Sequence, residues 1–195
     1  MVRLLEEFDL ELEWLGFELH PETPRGGMLL TRLFPAARIE GMHQHLRQAA
    51  AGFGVTMNTP ERLPNTRRAL AIAEQARETG TLHQARHAAM EAHWRKGLDI
   101  EDDAVLASIA EQAGLDPAIA VPAADAPEWQ ARVDAMRAEA QAWGVSGIPT
   151  FFLLPDGWSL EVAEGWAGPK PLRVVGCQPL EVLRQAARQA GAGAR

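Results

Sequence analysis

Gly144-Val145-Ser146-Gly147-Ile148-Pro149-Thr150-Phe151-Phe152-Leu153-Leu154 carries the decisive change of pattern in this chain. A glycine closes the helical periodicity before it, a tight turn follows, and the residues from Ile148 to Leu154 form a short continuous apolar run. Such runs are buried on both faces of a sheet. Proline has no amide to give to a ladder, and X-Pro is the one common peptide bond that tolerates cis. The chain can therefore turn sharply here and leave the backbone of Ile148 unpaired, and a free backbone edge can accept another peptide. The plainer reading, that Pro149 merely begins a strand, fits the spacing equally well.

Outward from this stretch, Pro155-Asp156-Gly157 reads as a turn. Trp158 to Pro171 reads as an extended hairpin or loop, and Leu172 to Gly176 as a second strand. Pro179 then opens a final helix with Leu180, Leu183, Ala187 and Ala190 inward. Towards the N-terminus, Phe8 to Leu15 alternates apolar and acidic side chains, which predicts a strand over about Phe8–Leu19. Two prolines and two glycines between His20 and Gly27 end it.

Between these ends the periodicity is helical. Ile39, Met42, Leu46 and Ala49 share a face before Gly52. Pro64-Asn65-Thr66 caps a helix with Ala69, Ile72, Ala73 and Ala76 inward, closed by Gly80. Thr81 and Gln84 make a capping-box pattern for a helix running to Gly97. Val105, Leu106, Ile109 and Ala113 line the next helix, while Ala118 to Ala126 reads as a loose, proline-broken link. Val133, Met136, Ala140 and Trp143 line the last helix before Gly144.

Composition limits the functional classes. The 195 residues are 47% hydrophobic, enough for one sizeable core with an inserted subdomain. A net charge of -7 and arginines dispersed among acids leave no field for phosphates, which argues against nucleic acid as a partner. No stretch approaches the ~20 apolar residues that span a bilayer, and Met1–Glu7 has no run of signal-peptide length, so no membrane is expected and the default compartment is the cytoplasm. One cysteine, Cys177, excludes an internal disulfide and a thiolate metal cluster.

The side chains that tempt a chemical assignment have simpler readings. His83 and His87 share a helix face but lack an evident third ligand, so no metal is expected. His43 and His45 point different ways, and His20 and His93 read as surface positions. Cys177 reads as a buried structural cysteine. Trp14, Trp94 and Trp143 fit packing positions, whereas Trp158 and Trp166 lie in the extended hairpin and read as cover for a sheet edge or a partner patch. No catalytic residue is identifiable, and no nucleophile-elbow, phosphate-loop or dinucleotide signature is present.

Val145-Ser146-Gly147-Ile148-Pro149-Thr150-Phe151-Phe152 resembles the cis-proline loop of DsbA-like thioredoxin folds, particularly the FrnE-type branch and its relatives, the 2-hydroxychromene-2-carboxylate isomerases and kappa-class glutathione transferases. Four further stretches resemble the same branch in the same order: Phe17–Pro21, Pro64–Ala69, Gly97–Leu106 and Gly176–Leu183. The resemblance implies an α/β fold, a thioredoxin-like mixed sheet with a large helical insertion. Residues 1–24 and 144–195 would form the core and residues 25–143 the insertion.

It also implies that Pro149 is cis and that the backbone at Gly147, Ile148 and Pro149 binds a cysteine-containing peptide or protein, or glutathione. No other cofactor is implied. In the family a first strand precedes a Cys-x-x-Cys, and both are missing from this sequence, as after an N-terminal truncation. The missing strand would be central. An upstream start, a rearranged sheet, or a strand donated by another chain, as in a homodimer, would each account for it. Three functions follow from the resemblance: a thiol-disulfide oxidoreductase whose cysteines lie upstream of Met1, a glutathione-dependent isomerase or transferase, or a non-catalytic peptide-binding module. For the polypeptide as given, little or no dithiol activity is expected, because thiol exchange needs an activated thiolate and a second, resolving thiol.

Overall fold

The computed structural model describes residues 2–159 and 167–195. The chain is helix-rich α/β and folds as two compact units, one of residues 1–15 and 139–195 and one of residues 16–138.

The larger unit is mainly helical. It contains β1 (Met28–Leu29), α2 (Ala36–Ala51), β2 (Arg62–Leu63), α3 (Arg67–Glu78), α4 (Leu82–Met90), α5 (Asp103–Gln112), α6 (Pro117–Ala123) and most of α7 (Pro127–Ala142). Its core is made by Ile72, Leu106, Ile109, Ala110 and Val133, each almost wholly removed from water, with Ala71, Ala120 and Met136 packed among them. Alanine at so many core positions lets α3, α5 and α6 approach closely. The few large side chains then supply most of the burial, about 1.5–3 kcal/mol each for a fully enclosed Leu or Ile. A charged network lies beside this core. Glu18 is buried, and its carboxylate accepts from Arg67 Nη1 at 2.9 Å while Arg67 Nη2 reaches Asp134 at 2.8 Å.

Four local expectations are corrected in this unit. Thr81 does not form a capping box: its hydroxyl lies 2.8 Å from that of Thr79 and donates to Ala76 O at 3.3 Å, so it is already engaged with the end of α3. The helix that follows stops at Met90 and passes into a π turn, Glu91–Arg95, in which Lys96 N–H reaches Glu91 O at 3.0 Å. The link at 118–126 contains α6, because Asp116 accepts from Ala118 N–H at 2.9 Å and Pro117 fills the first helical position, where no amide is needed. The pair β1–β2, antiparallel with Met28 opposite Leu63, lies where only helix was expected.

The smaller unit holds α1 (Val2–Glu7), the end of α7, β3 (Thr150–Leu153), β4 (Leu172–Val175) and α8 (Leu180–Gln189). The strands pair antiparallel in the register Thr150↔Val175, Phe151↔Val174, Phe152↔Arg173 and Leu153↔Leu172. Phe151, Leu153, Leu172 and Val174 share one face and pack with Leu4, Phe8, Leu183 and Ala187. Among the described residues the sheets are these two antiparallel pairs.

The strand expected over Phe8–Leu19 does not form. Phe8 makes a single bridge to Ala194, Asp9 N–H donates to Gly193 O at 2.9 Å, and among the described residues no ladder follows. The alternation itself is nevertheless visible in the burial: Leu10, Leu12 and Trp14 are half-buried, while Asp9, Glu11 and Glu13 are exposed. Period-two patterning reports which side chains face a core, whereas a strand also needs a neighbour to take its amides.

Candidate functional site: the Gly147–Phe152 edge

Helix α7 ends in a glycine terminator. Gly144 has φ 74°, and Val145 N–H donates back to Ala140 O at 2.9 Å, which turns the chain out of the helix. The next residues are fixed by two bonds: the Thr150 hydroxyl donates to Gly147 O at 2.7 Å, and Arg173 Nη1 donates to Gly144 O at 3.3 Å from the neighbouring strand. The Ile148–Pro149 peptide bond is cis.

Gly176 N–H donates to Pro149 O at 2.7 Å, which turns the carbonyl of residue 149 towards β4. In an antiparallel ladder alternate residues address the partner strand. Residues 149, 151 and 153 therefore face β4, and the amides and carbonyls of Thr150 and Phe152 point to the opposite side. No hydrogen-bond partner for these, or for the N–H and C=O of Ile148, is found among the described residues. The Ile148 side chain is 53% exposed. The result is a continuous free edge from Ile148 to Phe152, about 13 Å long at about 3.3 Å per residue.

The face of β3 turned away from the Leu4–Leu183 cluster is aromatic. Phe152 meets Trp143 edge-on, with ring centroids 4.9 Å apart, and Trp143 meets Trp158 in the same way at 5.7 Å. These rings, with Pro171 and Arg173, line a cavity of about 310 Å³. Trp143 is half-buried there and serves as a cavity wall as well as a packing residue. The alternation of strand side chains could have placed Phe152 on this face, but nothing local in the sequence predicts that Arg173 lies opposite it, because that depends on the β3–β4 register. Trp166 lies outside the described residues.

Cys177 is corrected. It is exposed in the turn after β4, where Gly176 has φ 80° and Gln178 Nε2 donates to Val175 O at 2.8 Å. A turn held by the Gln178 side chain on the Val175 carbonyl leaves the Cys177 side chain in water. His93 is corrected in the opposite direction: it is 9% exposed within the π turn, and burial holds its imidazole below the usual histidine range. His83 and His87 are exposed, and among the described residues no group of three or more His, Cys, Asp or Glu is placed to hold a metal ion. His20 is exposed and pairs with Glu22 at 3.0 Å.

A second recess, about 200 Å³ in the larger unit, is lined by Arg25, Arg67, Arg68, Glu101 and Asp125. Its cations are already matched: Arg25 pairs with Asp125, Arg68 with Asp103 and Asp125, and Arg67 with Glu18 and Asp134. The carboxylate of Glu101 accepts from the amides of Gly26 and Asn65 at 2.7 and 2.8 Å. This is a structural clamp on the loop before β1, not an open site.

Among the described residues no helix is long and apolar enough to cross a membrane. No curated protein matches the chain. Among solved structures it is similar to the crystal structure of a putative protein disulfide isomerase from Nitrosomonas europaea, with a TM-score of 0.60 and 20% identity over 80% of this chain and 74% of that one. At that identity the likeness speaks for the fold. The DSBA-like thioredoxin domain matches residues 1–188, nearly the whole sequence, with the free edge at Ile148 inside it. On that match the chain belongs to the DSBA-like thioredoxin domain family.

Proposed function

We propose that this member of the thiol-disulfide oxidoreductase-like family is a docking module that receives an extended cysteine-containing peptide along the backbone of Gly147, Ile148 and Pro149. The observation that carries the reading is an amide and carbonyl of Ile148 with no hydrogen-bond partner among the described residues, beside a Pro149 carbonyl already committed to Gly176. A peptide adding to such an edge gains main-chain hydrogen bonds without displacing any. Glutathione, a cysteine-bearing tripeptide, is the smallest ligand of this chemistry.

Dithiol turnover is expected to be slight or absent in this sequence. Its one thiol, Cys177, has no second thiol to resolve a mixed disulfide. A single cysteine also suits a reducing compartment, the cytoplasm.

The test is a titration of the labelled protein, followed by amide NMR, with a heptapeptide carrying a central cysteine, with its backbone N-methylated counterpart, and with glutathione. The heptapeptide is expected to shift the amides of Gly147, Ile148, Thr150 and Phe152, and N-methylation is expected to abolish the effect. Shifts confined to other segments, or equal binding of the methylated peptide, would remove the docking reading. Insulin reduction that persists in Cys177→Ser would remove the expectation of little dithiol activity.

A further inference from the structure

The aromatic cavity beside the free edge has an unspent cation. Arg173 gives one N–H to Gly144 O, and its remaining guanidinium N–H groups meet no partner among the described residues. It stands directly opposite Phe152 in the ladder, at a position where neither residue exchanges ladder bonds and side chains come closest. Trp143 and Trp158 complete the walls with their rings edge-on to one another, leaving about 310 Å³ between them. That volume lies at the lower end of the ~300–1,000 Å³ typical of small-ligand pockets. It suits one aromatic ring, and in a chain of net charge -7 a half-free guanidinium at its wall favours an anion.

We propose that this cavity is a specificity subsite that takes an aromatic side chain of the docked peptide, with Arg173 receiving a carboxylate next to that ring, either an acidic side chain or a C-terminus. The inference rests on the docking reading above. It follows from strand geometry: a peptide laid along the edge from Ile148 to Phe152 sends alternate side chains to each face of the ribbon. One of those faces is packed against Leu183 and Ala187, and the other carries Phe152 and the two tryptophans.

The experiment uses two probes on the full chain, followed by the indole N–H signals of Trp143 and Trp158 and the amide of Ile148. N-acetyl-phenylalanine supplies ring and carboxylate alone. The pentapeptide acetyl-Ala-Cys-Ala-Phe-Asp-amide, compared with its Phe→Ala form, supplies the backbone. N-acetyl-phenylalanine is expected to move both indoles. Arg173→Gln should weaken it about tenfold, the value of one charge-assisted contact, and Trp158→Ala should weaken it by a similar factor. Far-UV circular dichroism and thermal melts confirm that both variants fold.

Indoles unmoved by the small acid, or an affinity unchanged in both folded variants, would overturn the inference. If the Phe→Ala pentapeptide still shifts Ile148 while the acid binds nowhere, the subsite fails and docking stands. If the acid binds but neither pentapeptide touches Ile148, docking fails and the peptide is removed as occupant of the cavity.

Discussion

The helical unit and the smaller β3–β4 unit solve the same problem differently. In the helical unit the amides are consumed inside helices, and Ile72, Leu106 and Ile109 are closed off from water by their neighbours. Its charged recess is internally paired. In the smaller unit a four-residue pair of strands packs one face onto α1 and α8 and leaves its outer edge and an aromatic face open. One region is built to hold its shape, while the other keeps the outward backbone groups of Ile148, Thr150 and Phe152 without partners among the described residues.

The contrast is sharpest in buried leucines. Leu106→Ala is expected to cost about 4 kcal/mol, in the upper half of the range for such truncations, because none of the side chain is exposed. Leu153→Ala in β3, 8% exposed, should cost about 2–3 kcal/mol. Urea unfolding with residue-resolved hydrogen exchange reads both. If the β3–β4 amides prove as protected as those of α3 and α5, the distinction between the units is wrong.

Arg67→Ala tests whether the network around Glu18 is structural. Removing the guanidinium strands a carboxylate whose side chain is 2% exposed, at a cost of about 3 kcal/mol, the low end for a broken buried pair since Arg67 itself is partly wet. Arg67→Ala with Glu18→Gln should recover part of the loss, and no recovery would mean that the arginine acts through Gln130, whose side-chain oxygen accepts from Arg67 Nε at 2.8 Å, and Asp134 alone.

A smaller effect follows from His93. Burial lowers its folded pKa below the unfolded value of 6.5, so the unfolded chain takes the proton first as the pH falls. Stability is complete above that value and declines below it towards the folded pKa, by at most about 1.4 kcal/mol per pH unit. His93→Gln should flatten that limb of a stability-pH profile between pH 7 and 5, and a decline as steep as before would assign it to other groups.

The least effect is expected from Arg184→Ala. Arg184 holds Glu7 through two bonds of 2.6 Å, which keep the Glu7 carboxyl below the usual range, but both groups are solvated. Only a slight fall in melting temperature is expected, and it should vanish in high salt. A large, salt-resistant fall would show that the α1–α8 contact carries the smaller unit.

Much was legible in local signals. Glycine terminators at Gly52, Gly80, Gly114 and Gly144 located helix ends, since a helix stops where a residue can adopt positive φ or leave the helix at little cost. The apolar run at Ile148 and the proline within it located β3 and the edge beside it. What failed depends mostly on contacts outside the local pattern: the Phe8 alternation without a ladder, the Thr81 hydroxyl diverted to Ala76, the short β1–β2 pair, and the burial of His93 and exposure of Cys177. The exception is α6, capped by Asp116 and begun by Pro117, a local signal within a stretch that reads as a loose link.

The sequence by itself determined the order of helices, the turn at Gly144 and the proline that withholds an amide, because each is set by the backbone preferences of a few adjacent residues. Only the tertiary structure decided that residues 148, 150 and 152 face away from β4, and that Arg173 stands across from Phe152 beside two tryptophans. Register couples positions some twenty residues apart in the chain, and a slip of one would send each of these groups to the other side.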